Sequence, residues 1–204
     1  MNLIDRAKNI LFKPREEWVL ISRETTSVSQ LVTNYLLIMA IIPAAAQFIR
    51  YGLIGHNIPF YGHVAGSISW GLKQAVVSYI SNIAGVFLSA FIIDILATNF
   101  ASQKNFTRAM QLVVFSYTAA FVAGIFYLIP GLGILAVLGS LYGLYLLFLG
   151  LKPMMQTPDD KVAVYFILSL LVIIVVSVIL SFILGKILLA GAEINPAAVG
   201  IPGF

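Results

Sequence analysis

Asp94 is the one acid set inside a long apolar run, and a carboxylate held in such a run is a candidate site for a proton or a cation. Ionised near a bilayer centre it would cost about 2.5–3.5 kcal/mol on insertion scales, so it needs a partner or a wet position. The plainer role is an acid near the end of a long helix, with Thr98 and Asn99 one turn away and Lys104 or Arg108 close enough to reach it. Lys73 is out of range, since 21 residues of helix separate the two by roughly 31 Å. His56 and His63 share one segment without a Cys or a nearby carboxylate, whereas a metal needs three or four converging ligands. Neither a metal nor a cofactor is expected. Asp159 and Asp160 beside Lys161 read as a solvated helix start, and no apolar run brings together a nucleophile, a base and an orienting group. The chain is therefore expected not to be an enzyme.

Two further sets could do work without catalysis. Gly139 and Gly143 form a GxxxG pair, and Ser81, Gly85 and Ser89 form a small-residue row; such positions let helix backbones approach closely in lipid. They serve either packing within one bundle or a face for a second copy or another membrane protein. Tyr117, Tyr127, Tyr142 and Tyr145 could line a polar cavity with hydroxyls, or pack and anchor at the interface.

The elements that must carry these residues are set by apolar length. Residues 162–184 run without a charge, Pro or Gly for 23 positions, a rod of roughly 34 Å against a hydrocarbon core of about 30 Å. Four more runs share that character: Leu31–Phe48, Trp70–Thr98, Ala109–Ile129 and Ile134–Leu151. With 60% hydrophobic and 10% charged residues and a mean hydropathy of +1.00, the composition is that of an integral membrane protein; soluble domains carry about 25% charged residues. The fold class is accordingly all-α, a bundle of five transmembrane helices. Residues 99–108 form a short polar loop between the second and third spans, and Pro130 to Gly133 should turn the third span tightly into the fourth. The second span, longer than a bilayer requires, should tilt, with Lys73 snorkelling at its start.

Ahead of the spans, Ile4, Ala7, Leu11, Trp18 and Ile21 recur at helical spacing, with Asp5, Arg6, Lys8, Asn9 and Lys13 mostly opposite. That pattern predicts an amphipathic segment on the membrane surface, anchored by Arg6, Lys8, Lys13 and Trp18 and broken by Pro14. The domain plan is then an interfacial segment at 1–28, a five-helix domain at 29–189 and a mobile tail at 190–204. The N-terminus lacks the uninterrupted apolar core and small-residue site of a cleavable signal. Arg6, Lys8, Lys13, Arg15, Arg23, Lys104, Arg108, Lys152 and Lys161 fall on one side of the membrane, and Arg50, Lys73 and Lys186 on the other. The positive-inside bias puts the N-terminus in the cytoplasm and the C-terminus outside. The net charge of +4 is spread over segment ends, which suits anionic headgroups and not nucleic acid. Without a Cys the chain carries no disulfide framework.

Lys104-Asn105-Phe106-Thr107, Ser116-Tyr117, Pro130, Tyr142-Gly143-Leu144-Tyr145 and Leu149-Gly150-Leu151-Lys152, in that order, resemble the Yip1 domain family over roughly residues 10 to 185. Lys-Pro-Arg-Glu-Glu-Trp at 13–18 looks like the start of its short bacterial members. The resemblance implies a five-span protein of a bacterial inner membrane with a cytosolic N-terminus. Eukaryotic members act in vesicle trafficking and associate with Rab-type GTPases, through a longer N-terminal region and an Asp-Leu-Tyr-Gly-Pro motif. This chain has neither feature, so GTPase binding is not carried over. The expected role is membrane organisation or trafficking through lipids, a membrane-protein partner or a second copy. The alternative is a small transporter or channel whose polar path involves Asp94.

Overall fold

Asn2 and Pro14 set the first two helices. The Asn2 side chain accepts from the Ile4 amide (3.4 Å) at the start of α1, Leu3–Phe12. Proline disfavours a helical residue before it, so the chain breaks at Lys13 and restarts as α2, Pro14–Arg23. Glu16 and Glu17 in the first turn and Arg23 in the last complement the α2 dipole. The break expected at Pro14 is present.

The computed structural model describes residues 2–58, 62–129 and 131–189. Within them are five helices long and apolar enough to cross a membrane, the first four being α3 Val28–Ile54, α4 Ile68–Phe100, α5 Phe106–Leu128 and α6 Gly133–Met155. The fifth, α7, runs over Val162–Leu189. The all-α five-span expectation is met, with boundaries moved by local chemistry. At the start of α3, Ser27 and Gln30 form a reciprocal capping box, so the helix begins three residues before Leu31. It then runs past Phe48 in a wide-turn stretch, Ile49–Ile54, and takes the buried Pro43 within it. Asn105 caps α5 by accepting from the Arg108 amide (3.1 Å). α6 continues through Pro153 and stops at Gln156, whose φ of 52° is left-handed. Residues 152–155, beyond the apolar run Ile134–Leu151, are thus helical, and Met154 and Met155 are buried.

The glycine-rich segment after α3 is more ordered than its composition suggests. Strands β1 His56–Ile58 and β2 Gly62–Val64 pair antiparallel, with His56 opposite Val64 and Ile58 opposite Gly62. Gly55 enters the ladder at φ +89°, where a Cβ would run into the Val64 carbonyl oxygen. Pro130, expected to turn α5 into α6, and the tail at 190–204, including Glu193, lie outside the described residues.

α5 is the central helix and α7 the most peripheral. Val164, Ile167, Leu171 and Val175 face outward on α7, the surface a lipid-facing helix presents. Tyr165 turns in: its ring stacks on Phe100 (centroids 4.8 Å apart) and its hydroxyl donates to the Ile93 carbonyl (2.5 Å). The core joins Leu36, Ile93, Met110, Leu112, Phe121 and Leu146 to Ile10, Trp18 and Ile21 of the first two helices. Residue 28 is therefore no packing boundary, and the N-terminal helices belong to the bundle.

Candidate functional site

Between α4, α5, α6 and α7 lies a cavity of about 610 Å³, within the range of small-molecule sites. Val113, Leu144, Leu147, Leu170 and Ile173 supply apolar wall. The polar atoms are few and mostly occupied. Ser116 donates to the Leu112 carbonyl (2.7 Å) and Ser140 to the Ala136 carbonyl (3.0 Å), so both hydroxyl protons are turned to their own helices. Ser89 and Tyr117 hydroxyls pair at 3.2 Å, and Asn82 donates to the Ser78 carbonyl (2.8 Å). None of the lining side chains is charged. Ile174 and Val178 line the cavity yet are 53% and 64% exposed, so the space opens beside α7 toward the bilayer.

The tyrosines part company. Tyr117 lines this cavity, whereas the Tyr142 hydroxyl donates to the Leu11 carbonyl (2.7 Å), Tyr145 is exposed, and the Tyr127 carbonyl accepts from Arg50 (3.4 Å). Asp94 lies outside the cavity lining. It is buried, and its Oδ1 has no hydrogen-bond partner among the described residues. Neither basic residue expected to reach it pairs with it there; Arg108 instead donates to the Ile21 and Glu24 carbonyls (3.2 and 3.1 Å) and to Gln111 Oε1 (3.3 Å). Tyr165, whose hydroxyl donates to the carbonyl of the preceding Ile93 (2.5 Å), lies near Asp94.

The small-residue sets are used inside the chain. A Cβ on Gly139 would collide with the Ala123 Cβ, and one on Gly143 would stand 2.9 Å from the Ser116 carbonyl oxygen. α6 therefore rests on α5 at van der Waals limit, and the GxxxG pair is not a free oligomer face. Ser89 is buried against Tyr117, which leaves Ser81 and Gly85 half-buried on α4. Gly143→Leu should then destabilise the monomer, by about 1–3 kcal/mol for an overpacked contact. Gly85→Ala should be neutral, because its Cβ would meet nothing nearer than the Tyr117 hydroxyl at 3.9 Å. Thermal unfolding in detergent separates the two.

The expected surface anchors also divide. Lys8 and Lys13 are exposed, but Trp18 is fully buried and Arg6 nearly so. Arg6 Nη1 donates to Glu17 (2.6 Å) and Nη2 to Glu24, with the guanidinium 5.4 Å from the centre of the Phe115 ring. Outward on the same two helices stand Ile4, Phe12, Val19 and Leu20. One guanidinium and one carboxylate are turned inward among Ile10, Trp18 and Ile21, while the outward surface carries apolar side chains together with Asp5, Lys8, Lys13, Arg15 and Glu16. Arg6 and Trp18 are thus not surface anchors, because each is held against α5 or α6 by packing.

The Yip1 domain model matches residues 8–181, from within α1 to within α7. The chain belongs to the Yip1 domain family. It is a multi-pass membrane protein, as the family match and the five spans together require. Two curated relatives, each called "Inner membrane protein YohC", come from Escherichia coli K12 and Escherichia coli O6:H1 strain CFT073; each is 29% identical over 153 residues, covering 72% of this chain and 77% of the relative. No solved structure matches. The matched region of this Yip1 protein includes Glu17, Trp18 and the whole cavity but stops short of Arg6.

Sequence reasoning missed Glu17, Glu24 and the Arg108 contacts. A signal was present: Glu17, Ile21 and Glu24 share one helical stripe with Trp18 beside it, and Arg6 sits one turn from Ile10. Each charge stands beside a bulky apolar residue, Glu17 by Ile21 and Arg6 by Ile10, and if that residue is buried the charge needs a buried partner.

Proposed function

We propose that this Yip1 protein is a non-enzymatic component of a bacterial inner membrane that acts on membrane organisation by holding a lipid chain in the cavity among α4 to α7. The cavity carries the reading: it is apolar, uncharged, and open beside α7 where every neighbouring molecule in the bilayer is an acyl chain. The few oxygens inside suit the ester region or the end of a lipid better than an ion, which requires a continuous set of ligands. The inner-membrane location follows the relatives' names, and the basic residues gathered at one end favour a cytoplasmic N-terminus.

Native mass spectrometry of the purified chain tests the reading. Wild type is expected to retain one phospholipid through delipidating detergent, and Ala120→Phe with Ser177→Phe, which fill the cavity from α5 and α7, to lose it while keeping the wild-type melting temperature. Equal retention by both proteins would overturn the assignment.

A second reading is favoured by one observation, the unpartnered Asp94 oxygen. An acid of that kind suits a proton or cation step in a small transporter. Ion or proton-coupled flux in liposomes that Asp94→Asn abolishes would decide for it and against the lipid-holding role.

A further inference from the structure

Away from the intramembrane cavity, a second pocket of about 350 Å³ lies where the chain leaves α2 and where α3 and α5 begin. Its lining is almost wholly polar. Thr25, Thr26, Ser27 and Thr107 bring hydroxyls, Arg108 brings a cation, and Gln111 is its most deeply buried member. Three of these features converge on one kind of ligand. Among the described residues Arg108 makes three hydrogen bonds, all through Nη1, to the Ile21 and Glu24 carbonyls and to Gln111 Oε1. Gln111 is 1% exposed and, with its oxygen taken by Arg108, leaves Nε2 as a donor without a partner among the described residues. The pocket also meets the first turn of α5, where Asn105 caps the Arg108 amide and the preceding amides stand at the positive end of the helix dipole. One lining group opposes an anion, the Glu24 carboxylate, and Arg6 holds it in an ion pair.

We propose that this pocket binds a phosphate group, with the Arg108 guanidinium, the Gln111 amide and the Thr26 and Thr107 hydroxyls as donors. Arginine with hydroxyl donors at a helix start is the usual chemistry for a tetrahedral oxyanion. The pocket sits at the end of the bundle where α3 and α5 begin, the level of lipid headgroups, so the phosphate comes either from an anionic phospholipid or from a soluble phosphate compound.

The test uses the full chain. In nanodiscs of phosphatidylcholine with and without phosphatidylglycerol, native mass spectrometry after release counts retained phosphatidylglycerol; in detergent, inorganic phosphate is titrated by thermal shift. Thr26→Val with Thr107→Val removes two donors while leaving the Arg108 and Arg6 bonds in place, and Arg108→Gln removes the charge. Either probe binding wild type about tenfold more tightly than the threonine double variant supports the site, because lost charge-assisted bonds are of that size. Phosphatidylglycerol retention without a phosphate shift assigns the lipid source, and the converse the soluble one. If wild type and the double variant bind both probes equally, or neither probe binds wild type, the proposal is overturned. Arg108→Gln must weaken binding at least as much as the double variant; a folded Arg108→Gln protein with undiminished binding overturns it as well.

Discussion

Arg6→Ala is expected to detach the N-terminal helices from the bundle and lower stability by about 3–5 kcal/mol, the range for breaking one side of a buried ion pair. Glu17 is 2% exposed and takes the Arg6 Nη1 at 2.6 Å. Without the guanidinium the Glu17 carboxylate would remain buried near Tyr35 without its ion-pair partner. Arg6→Lys should recover only part of the loss, since an ammonium cannot fork to Glu17 and Glu24 together. Replacing both partners, Arg6→Met with Glu17→Leu, should come close to wild type, because matched apolar groups spare both desolvations. Hydrogen exchange over residues 3–23 reads the difference. Fast exchange there in Arg6→Ala, with α4 to α6 still protected, is the expected pattern. Unchanged protection would mean that the ion pair does not hold these helices down.

Trp18→Ala should lower stability by about 3 kcal/mol, the lower end of the range for losing a large aromatic from a core. The lower end applies because lipid competes for apolar surface, so packing carries most of the loss. Trp18 fills a slot made by the missing side chain of Gly150: a Cβ there would stand 2.6 Å from the indole and from Leu112. Gly150→Ala should therefore be destabilising alone and nearly silent beside Trp18→Ala, a non-additive cycle diagnostic of direct contact. Trp18→Phe should be mild. The indole Nε1 is buried without a partner among the described residues, so exchanging it removes no hydrogen bond seen there.

These two effects concentrate where sequence reading was weakest. The spans were legible because each is a long uncharged run, and the α1–α2 break because Pro14 has one effect on any preceding residue. Which face of α1 and α2 turns inward was not. Periodicity placed Arg6 on the polar side, and only the docking of both helices on α5 and α6 supplies Glu17 and Glu24 as partners. The fate of the GxxxG pair was equally open from sequence, because close approach is the same whether the neighbour is α5 or a second copy. Ala123 and Ser116 occupy that space here. Of the candidate site, Ser89 and Tyr117 were in view as separate residues; their meeting at 3.2 Å depends on how α4 crosses α5, which no local pattern encodes.

Asp94 was the most visible residue for chemistry and stands apart from the cavity, while the charged α1 and α2 face that brings Arg6 to Glu17 secures helices that pack on α5 and α6, two of the cavity's walls. The same frame places the smaller polar pocket at the α5 start, beyond the apolar one along the bundle. One protein thus carries an apolar cavity among its spans and a donor-rich pocket at one end of the bundle.

The most direct test of the lipid-holding role is photo-crosslinking in liposomes with a phospholipid carrying a diazirine in its acyl chain, mapped by mass spectrometry. Label should appear on Leu144, Leu147, Leu170 and Ile173 inside the cavity as well as on outward Leu171 and Val175. Ala120→Phe with Ser177→Phe should remove the inner label and leave the outer. Label confined to Leu171, Val175 and other outward positions in the wild-type protein would contradict it.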